Sequence, residues 1–97
     1  MATLSGEELE SRVQALGGWE LGEQDGAACI VRDLELRDFA AALSLLGRVG
    51  ELAEAANHHP DMLLHGWNKV RLTLSTHSAG GLTEADLELA ARIDGLL

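Results

Sequence analysis

The clearest pattern in the chain is the alternation of WNKVRLTLST, residues 67–76, where Val70, Leu72 and Leu74 fall on one side and Lys69, Arg71 and Thr73 on the other. A period of two over that length predicts a strand with one buried face. The shorter DMLL, residues 61–64, precedes it, with His65-Gly66 as the connecting turn. Upstream, WEL and AACIVRDLEL flank the polar stretch GEQDG, whose Asp25-Gly26 pair is a hairpin signal, and together they predict two further antiparallel strands.

The remaining segments carry the helical period. Ser5 and Glu8 have capping-box spacing, and Leu9, Val13 and Leu16 continue one stripe until Gly17-Gly18. A long helix is predicted from Arg37 to Ala56, with apolar residues on two stripes: Phe39, Leu43, Leu46, Val49 and Ala53, and then Ala41, Leu45, Leu52 and Ala55. Covering a sheet needs one stripe, so the second is expected to face another subunit. Gly47 and Gly50 cost that helix about 1 kcal/mol each relative to alanine, which predicts a close backbone approach or a local irregularity. Pro60 disfavours helical geometry at His59 and ends the helix just before the His58-His59 pair. After Gly80-Gly81, Thr83 and Asp86 are spaced to cap a last helix, with Leu87, Ala90, Ala91 and Ile93 on its apolar side. The expectation is one α+β domain over residues 1–97, a four-stranded antiparallel sheet packed by helices in the order α-β-β-α-β-β-α.

Charge narrows the function. Seven Lys plus Arg against sixteen Asp plus Glu give a net charge of -9, the wrong sign for binding a phosphate backbone, so no direct nucleic-acid partner is expected. The N-terminal MATLSGEELE lacks a basic region followed by an apolar run, and no apolar stretch is long enough to span a bilayer. A cytoplasmic protein without a membrane partner is expected. The single cysteine, Cys29, lies among Ala28, Ile30 and Val31 and reads as a buried structural thiol.

Against this acidic background, all four histidines fall between residues 58 and 77, with the only lysine, Lys69, and the only proline. Glu54 and His58 are four apart, a spacing that would let a carboxylate orient an imidazole on one helical face. The strand ending at Thr76 pairs most naturally with DMLL, which brings His77 toward the same junction. Three readings fit these spacings: polar residues at element ends, a metal site without HExxH or CxxC spacing, and general acid/base chemistry.

The series Glu54, His58-His59-Pro60, Trp67, His77 and Asp86, with the stretches WNKVRLTLSTH and GLTEADLELA, resembles the signature of the pterin-4a-carbinolamine dehydratases. The likeness is dense over residues 51–94 and extends more weakly to GGW and LELRDF. It departs at Asn57, Met62 and Trp67, where members also carry aspartate, an aromatic and tyrosine, which bears on pocket shape rather than on chemistry.

The resemblance implies an enzyme, a hydro-lyase that removes water from 4a-hydroxytetrahydrobiopterin to give quinonoid dihydropterin, in tetrahydropterin recycling after aromatic amino-acid hydroxylation. It implies no metal and no cofactor, a homodimer or homotetramer, and a functional link to an aromatic amino-acid hydroxylase. It makes His58 and His77 the acid/base candidates, with Glu54 supporting His58 and His59 holding the pterin. Asn57, His58, His59, Ser75, Thr76, His77 and Ser78 match the stretches that contact pterin. Trp67 is either a ring-stacking side chain or a packed indole at a strand start. Asp86 reads as the cap of the last helix rather than as a catalytic acid, and His65 as solvated surface. The alternative is a non-catalytic dimerisation cofactor or assembly factor on the same fold, which would have no chemical reason to keep Glu54, His58, His59 and His77 together.

Overall fold

The computed structural model describes residues 2–97. Helix α1 spans Gly6–Leu16, strands β1 and β2 span Glu20–Gln24 and Ala27–Glu35, and α2 spans Phe39–Ala56. Strands β3, Asp61–His65, and β4, Lys69–Leu74, follow, then a 3₁₀ turn at His77–Ala79 and helix α3 at Glu84–Asp94. The chain is thus a small α+β domain in the order α-β-β-α-β-β-α, and its four strands form one antiparallel sheet ordered β1-β2-β4-β3.

Local chemistry accounts for the element ends. Asp25 and Gly26 both have positive φ, 52° and 80°, as a two-residue hairpin turn requires, so β1 runs on to Gln24 instead of stopping at Leu21. Asp38 caps α2 by accepting from the Ala41 N–H at 2.8 Å. Ser5 sits at the N-cap of α1, but its side chain makes no cap hydrogen bond, so the expected box with Glu8 does not form. The β3–β4 connection is Gly66-Trp67-Asn68, with His65 paired to Lys69, one step later than the sequence suggested. Buried Asn68 clamps this turn to the start of α2: its Nδ2 donates to the Leu36 carbonyl, and the Leu36 N–H donates back to the Asn68 carbonyl, both at 2.8 Å.

The helices cover the sheet face that carries Ile30, Val70, Leu72 and Leu74, each fully buried. Salt links lace the opposite face, where Arg71 pairs with Asp33 and Lys69 with Glu35. Trp19 is buried, and its Nε1 donates to Asp94 Oδ1 at 2.9 Å; Arg32 reaches the same oxygen at 3.1 Å and the Gly17 carbonyl at 2.8 Å. This network ties β1, β2 and the end of α3 together.

Helix α2 does not use the faces its two stripes suggested. The buried positions are Ala42, Leu45, Val49 and Ala53, while Phe39 and Leu43 are 50% and 54% exposed. Leu45, expected at a subunit interface, belongs to the core of its own chain at 2% exposure. The helix is apolar on most of its circumference, so period alone does not select a face. The small Ala42 and Ala53 let the backbone approach the sheet, and that selects the stripe between the two predicted ones. Gly47 and Gly50 face open space, with no atom within 4 Å of where a Cβ would stand, so neither marks a close approach within the chain.

Candidate functional site

The site begins where α2 ends. Asn57 closes the helix in the left-handed region, φ 50°, a conformation that asparagine tolerates better than most residues. Its N–H returns to the Glu54 carbonyl and that of His58 to the Ala53 carbonyl, at 3.2 and 3.1 Å. The chain therefore leaves the helix before His58, and the four-residue spacing of Glu54 and His58 no longer places them on one face. Glu54 pairs instead with His59, on the exposed side of the junction. His58 turns inward against α3, where its Nε2 lies 2.5 Å from Asp86 Oδ1.

Asp86 has no solvent exposure, and both its oxygens are engaged. While Oδ1 meets His58, Oδ2 accepts from the Thr76 hydroxyl at 2.7 Å and from the Thr83 N–H at 2.9 Å. The Thr76 and Thr83 hydroxyls lie 2.9 Å apart. Because Thr76 donates to the carboxylate, Thr83 supplies the proton of that second contact. The expected cap at Thr83 and Asp86 is present, and the same carboxylate also orients His58. An ionised carboxylate is acceptor-only, so the pairing assigns the ring proton to Nε2 and leaves Nδ1 as the free nitrogen of a neutral His58.

His77 enters from the other strand. Asp61 pairs with Thr73 across β3 and β4, so the segment before β3 and the segment after β4 meet at one end of the sheet. Thr76 is buried and bridged to Gly81, and its carbonyl accepts from Ala79 and Gly80, which fixes the turn carrying His77. His77 and Ser78 are exposed at that turn. Ser75 and Thr76, expected among the ligand contacts, spend their hydroxyls within the chain: Ser75 Oγ donates to the Ala28 carbonyl at 2.9 Å and Thr76 to Asp86. Their backbone groups and the exposed His59, His77 and Ser78 are what this end offers to a ring.

Trp67 is not among them. It stands in the turn at the opposite end of the β3–β4 pair, 60% exposed and with φ 61°, neither packed nor at a strand start. His65 is exposed at that same end, as expected. Cavity size and chemistry also diverge. A depression of about 530 Å³ runs along Leu36, Ala40, Ser44 and Arg48, whereas the one that touches His58 is about 170 Å³, between α2 and α3 beside Glu88 and Arg92. The lining of the smaller one includes His58 but neither His59 nor His77. Among the described residues no group of three or more His, Cys, Asp or Glu side chains is arranged to hold a metal ion.

The sequence and the fold both match known proteins. The profile of the family described as Pterin 4 alpha carbinolamine dehydratase matches residues 2–96. A provisionally named pterin-4-alpha-carbinolamine dehydratase 2 of Gloeobacter violaceus is 45% identical over 96% of this chain and 100% of its own length. The mitochondrial pterin-4-alpha-carbinolamine dehydratase 2 of Arabidopsis thaliana is 34% identical over 99% of this chain and 51% of its own. Among solved structures, a transcriptional coactivator/pterin dehydratase from Brucella melitensis superposes with a TM-score of 0.87 at 32% identity, covering 98% of both chains. A pterin dehydratase-like protein described as a RuBisCO assembly factor in the alpha-carboxysome aligns with a TM-score of 0.67 at 24% identity over 81% of this chain and 88% of its own, a likeness of fold alone.

Proposed function

Given that the chain belongs to the pterin 4 alpha carbinolamine dehydratase family, we propose that it removes water from a 4a-hydroxytetrahydropterin to give the quinonoid dihydropterin. The observation that carries this reading is the buried Asp86 carboxylate set against His58, with His77 held nearby through Thr76. The reaction breaks the C4a–O bond, delivers a proton to the departing hydroxyl and takes one from ring N5. Two imidazoles suffice for these transfers, since each donates and accepts near neutral pH.

The hydrogen bonds of His58 and His59 support a division of roles. His58 Nδ1 takes the N5 proton, and the positive charge that forms on the ring is met by Asp86. His77 delivers a proton to the hydroxyl that leaves as water. His59, braced by Glu54, holds the heterocycle by its polar edge, and Asn57 and Ser78 border it. Glu54 thus serves the site through His59 and not through His58. The step needs no oxidant and, as written, no metal. It fits a cytoplasmic role in recycling tetrahydropterin after an aromatic amino-acid hydroxylase.

A second reading, a protein-binding module, draws on the exposed Phe39 and Leu43 of α2. One assay separates the two. Decay of a freshly generated 4a-hydroxytetrahydropterin, followed by absorbance, should be accelerated many-fold by catalytic amounts of the protein. Decay at the spontaneous rate would reject the enzyme and leave the binding module.

A further inference from the structure

Helix α1 and strand β1 meet in a groove of about 410 Å³. Leu4, Leu9, Leu21 and Ala28 give it an apolar lining, and Glu10 and Glu23 bring a carboxylate from each element. Leu21 is 40% exposed although Ile30, its cross-strand partner in β2, is fully buried, so the helices stop short of this margin of the sheet. Strand β1 is also an outer strand. It pairs with β2 on one side, and among the described residues no backbone group bonds to the other. A free row of N–H and C=O groups therefore runs beside an open apolar groove, the two requirements of a strand-addition site.

Charge selects the occupant. Residues 1–25 hold six carboxylates, Glu7, Glu8, Glu10, Glu20, Glu23 and Asp25, against the single Arg12, which places -5 of the net -9 in about a quarter of the chain. None of the six forms an ion pair among the described residues, and Arg12 is taken by Glu84. A second copy of this edge fits badly. Run antiparallel about Gly22, two β1 strands would set the Leu21 of one against the Glu23 of the other and crowd four carboxylates into one seam. The same carboxylates attract a cationic strand, and the field of the whole corner steers it in.

We propose that this corner docks an extended cationic segment of another protein, which joins β1 as a fifth strand. Leu21 and Glu23 lie two apart on one face of β1, so the segment that fits places an apolar side chain beside Leu21 and a Lys or Arg two residues away, against Glu23. This docking stands apart from the pterin reading, because the groove shares no residue with the histidine junction.

A random-peptide library displayed on phage, selected on the immobilised protein at physiological salt, reads the chemistry of the segment. Binders should be enriched in an apolar residue with Lys or Arg two positions away, and a double variant carrying Leu21→Ser and Glu23→Lys should not enrich them. Equal enrichment on both targets, or none on either, would overturn the proposal. One such peptide, synthesised and titrated into isotope-labelled protein, should shift the amide resonances of residues 4–10 and 20–28 and slow hydrogen exchange along β1. Shifts centred on α2 would overturn it. So would concentration-dependent broadening at residues 20–24 without peptide, which would put a second copy there. Leu21→Ser and Glu23→Lys alter exposed side chains, so both single variants should keep the native amide spectrum. Each should weaken the peptide roughly tenfold, and unchanged affinity in either would overturn the proposal.

Discussion

Replacing Asp86 by asparagine changes one atom at the centre of the site, and the structure fixes the consequence. The Oδ2 position receives two donors, the Thr76 hydroxyl and the Thr83 N–H. An amide would keep its oxygen there and turn its NH₂ toward His58. The ring nitrogen that now donates would have to accept, moving the ring proton to Nδ1 and removing the lone pair that takes the substrate's proton. Carboxamide-for-carboxylate exchanges that impose the wrong histidine tautomer lower turnover by up to about 10⁴, and a positioned base is worth about 10² to 10⁴. The expected loss in kcat is therefore about 10² to 10⁴, with only a small change in stability, because every hydrogen bond keeps a partner. Asp86→Ala tests the other half of the reasoning. It strands the buried Thr76 hydroxyl and Thr83 N–H at about 1–3 kcal/mol each and leaves half-buried His58 without its partner, against a total stability of about 5–15 kcal/mol for a domain of this kind, so much less folded protein should survive. Stopped-flow dehydration and urea melts measure the two effects. A folded Asp86→Asn enzyme with turnover within roughly threefold of wild type would refute the assignment of His58 to the proton transfer.

Other outcomes follow from the same geometry. His59→Gln should keep the fold and raise KM more than it lowers kcat, since His59 stands exposed beside Glu54; unfolding in a thermal melt would contradict this. Leu45→Ala should cost about 2–5 kcal/mol in a urea melt as a core truncation, whereas Leu43→Ser should cost little; the reverse order would show that the buried face of α2 is wrongly drawn. The Arg71 guanidinium holds the Asp33 carboxyl below the usual carboxylate range, and Arg12 does the same to Glu84. Both folded-state values are depressed, so this stability is present above the unfolded carboxylate range and is lost as pH falls through the folded values. Exposure keeps it small, and Glu84→Gln should flatten part of the acid limb of a Tm–pH curve. Burial pushes the Cys29 thiol up, so a thiol reagent near pH 8 should modify the native chain far more slowly than the unfolded one.

The sheet was legible because its strands announce themselves twice, by the alternation at Val70, Leu72 and Leu74 and by turn chemistry at Asp25-Gly26. Helix α2 was legible as a helix but not in its orientation, since a nearly all-apolar surface leaves the choice of face to tertiary packing. The histidine junction was found from residue types and spacing, while its wiring was not. The helical rule that joined Glu54 to His58 assumes continuous helix, and the left-handed Asn57 breaks it one residue too soon. The carboxylate that does meet His58 lies 28 residues away on α3. Its capping role hid it, because a cap explains an aspartate so fully that no second partner is sought. The signal available was Asp86 standing in the same motif as the histidines. Trp67 was read as a strand residue because the positive φ at Gly66 and Trp67, which lengthens the turn, leaves no mark on hydrophobic periodicity.

The central claim is that two imidazoles, His58 oriented by Asp86 and His77 on the facing turn, carry out both proton transfers of a dehydration. The most direct measurement is the turnover of a 4a-hydroxytetrahydropterin by protein stripped with a strong chelator, compared among wild type, His58→Ala, His77→Ala and the double variant. The account predicts full activity in the stripped wild type, a loss of about 10² to 10⁴ in each single variant, and a double variant little worse than the poorer single one, since the two rings act as a unit. Activity that vanishes on chelation and returns with zinc, or single variants that turn over like wild type, would contradict it.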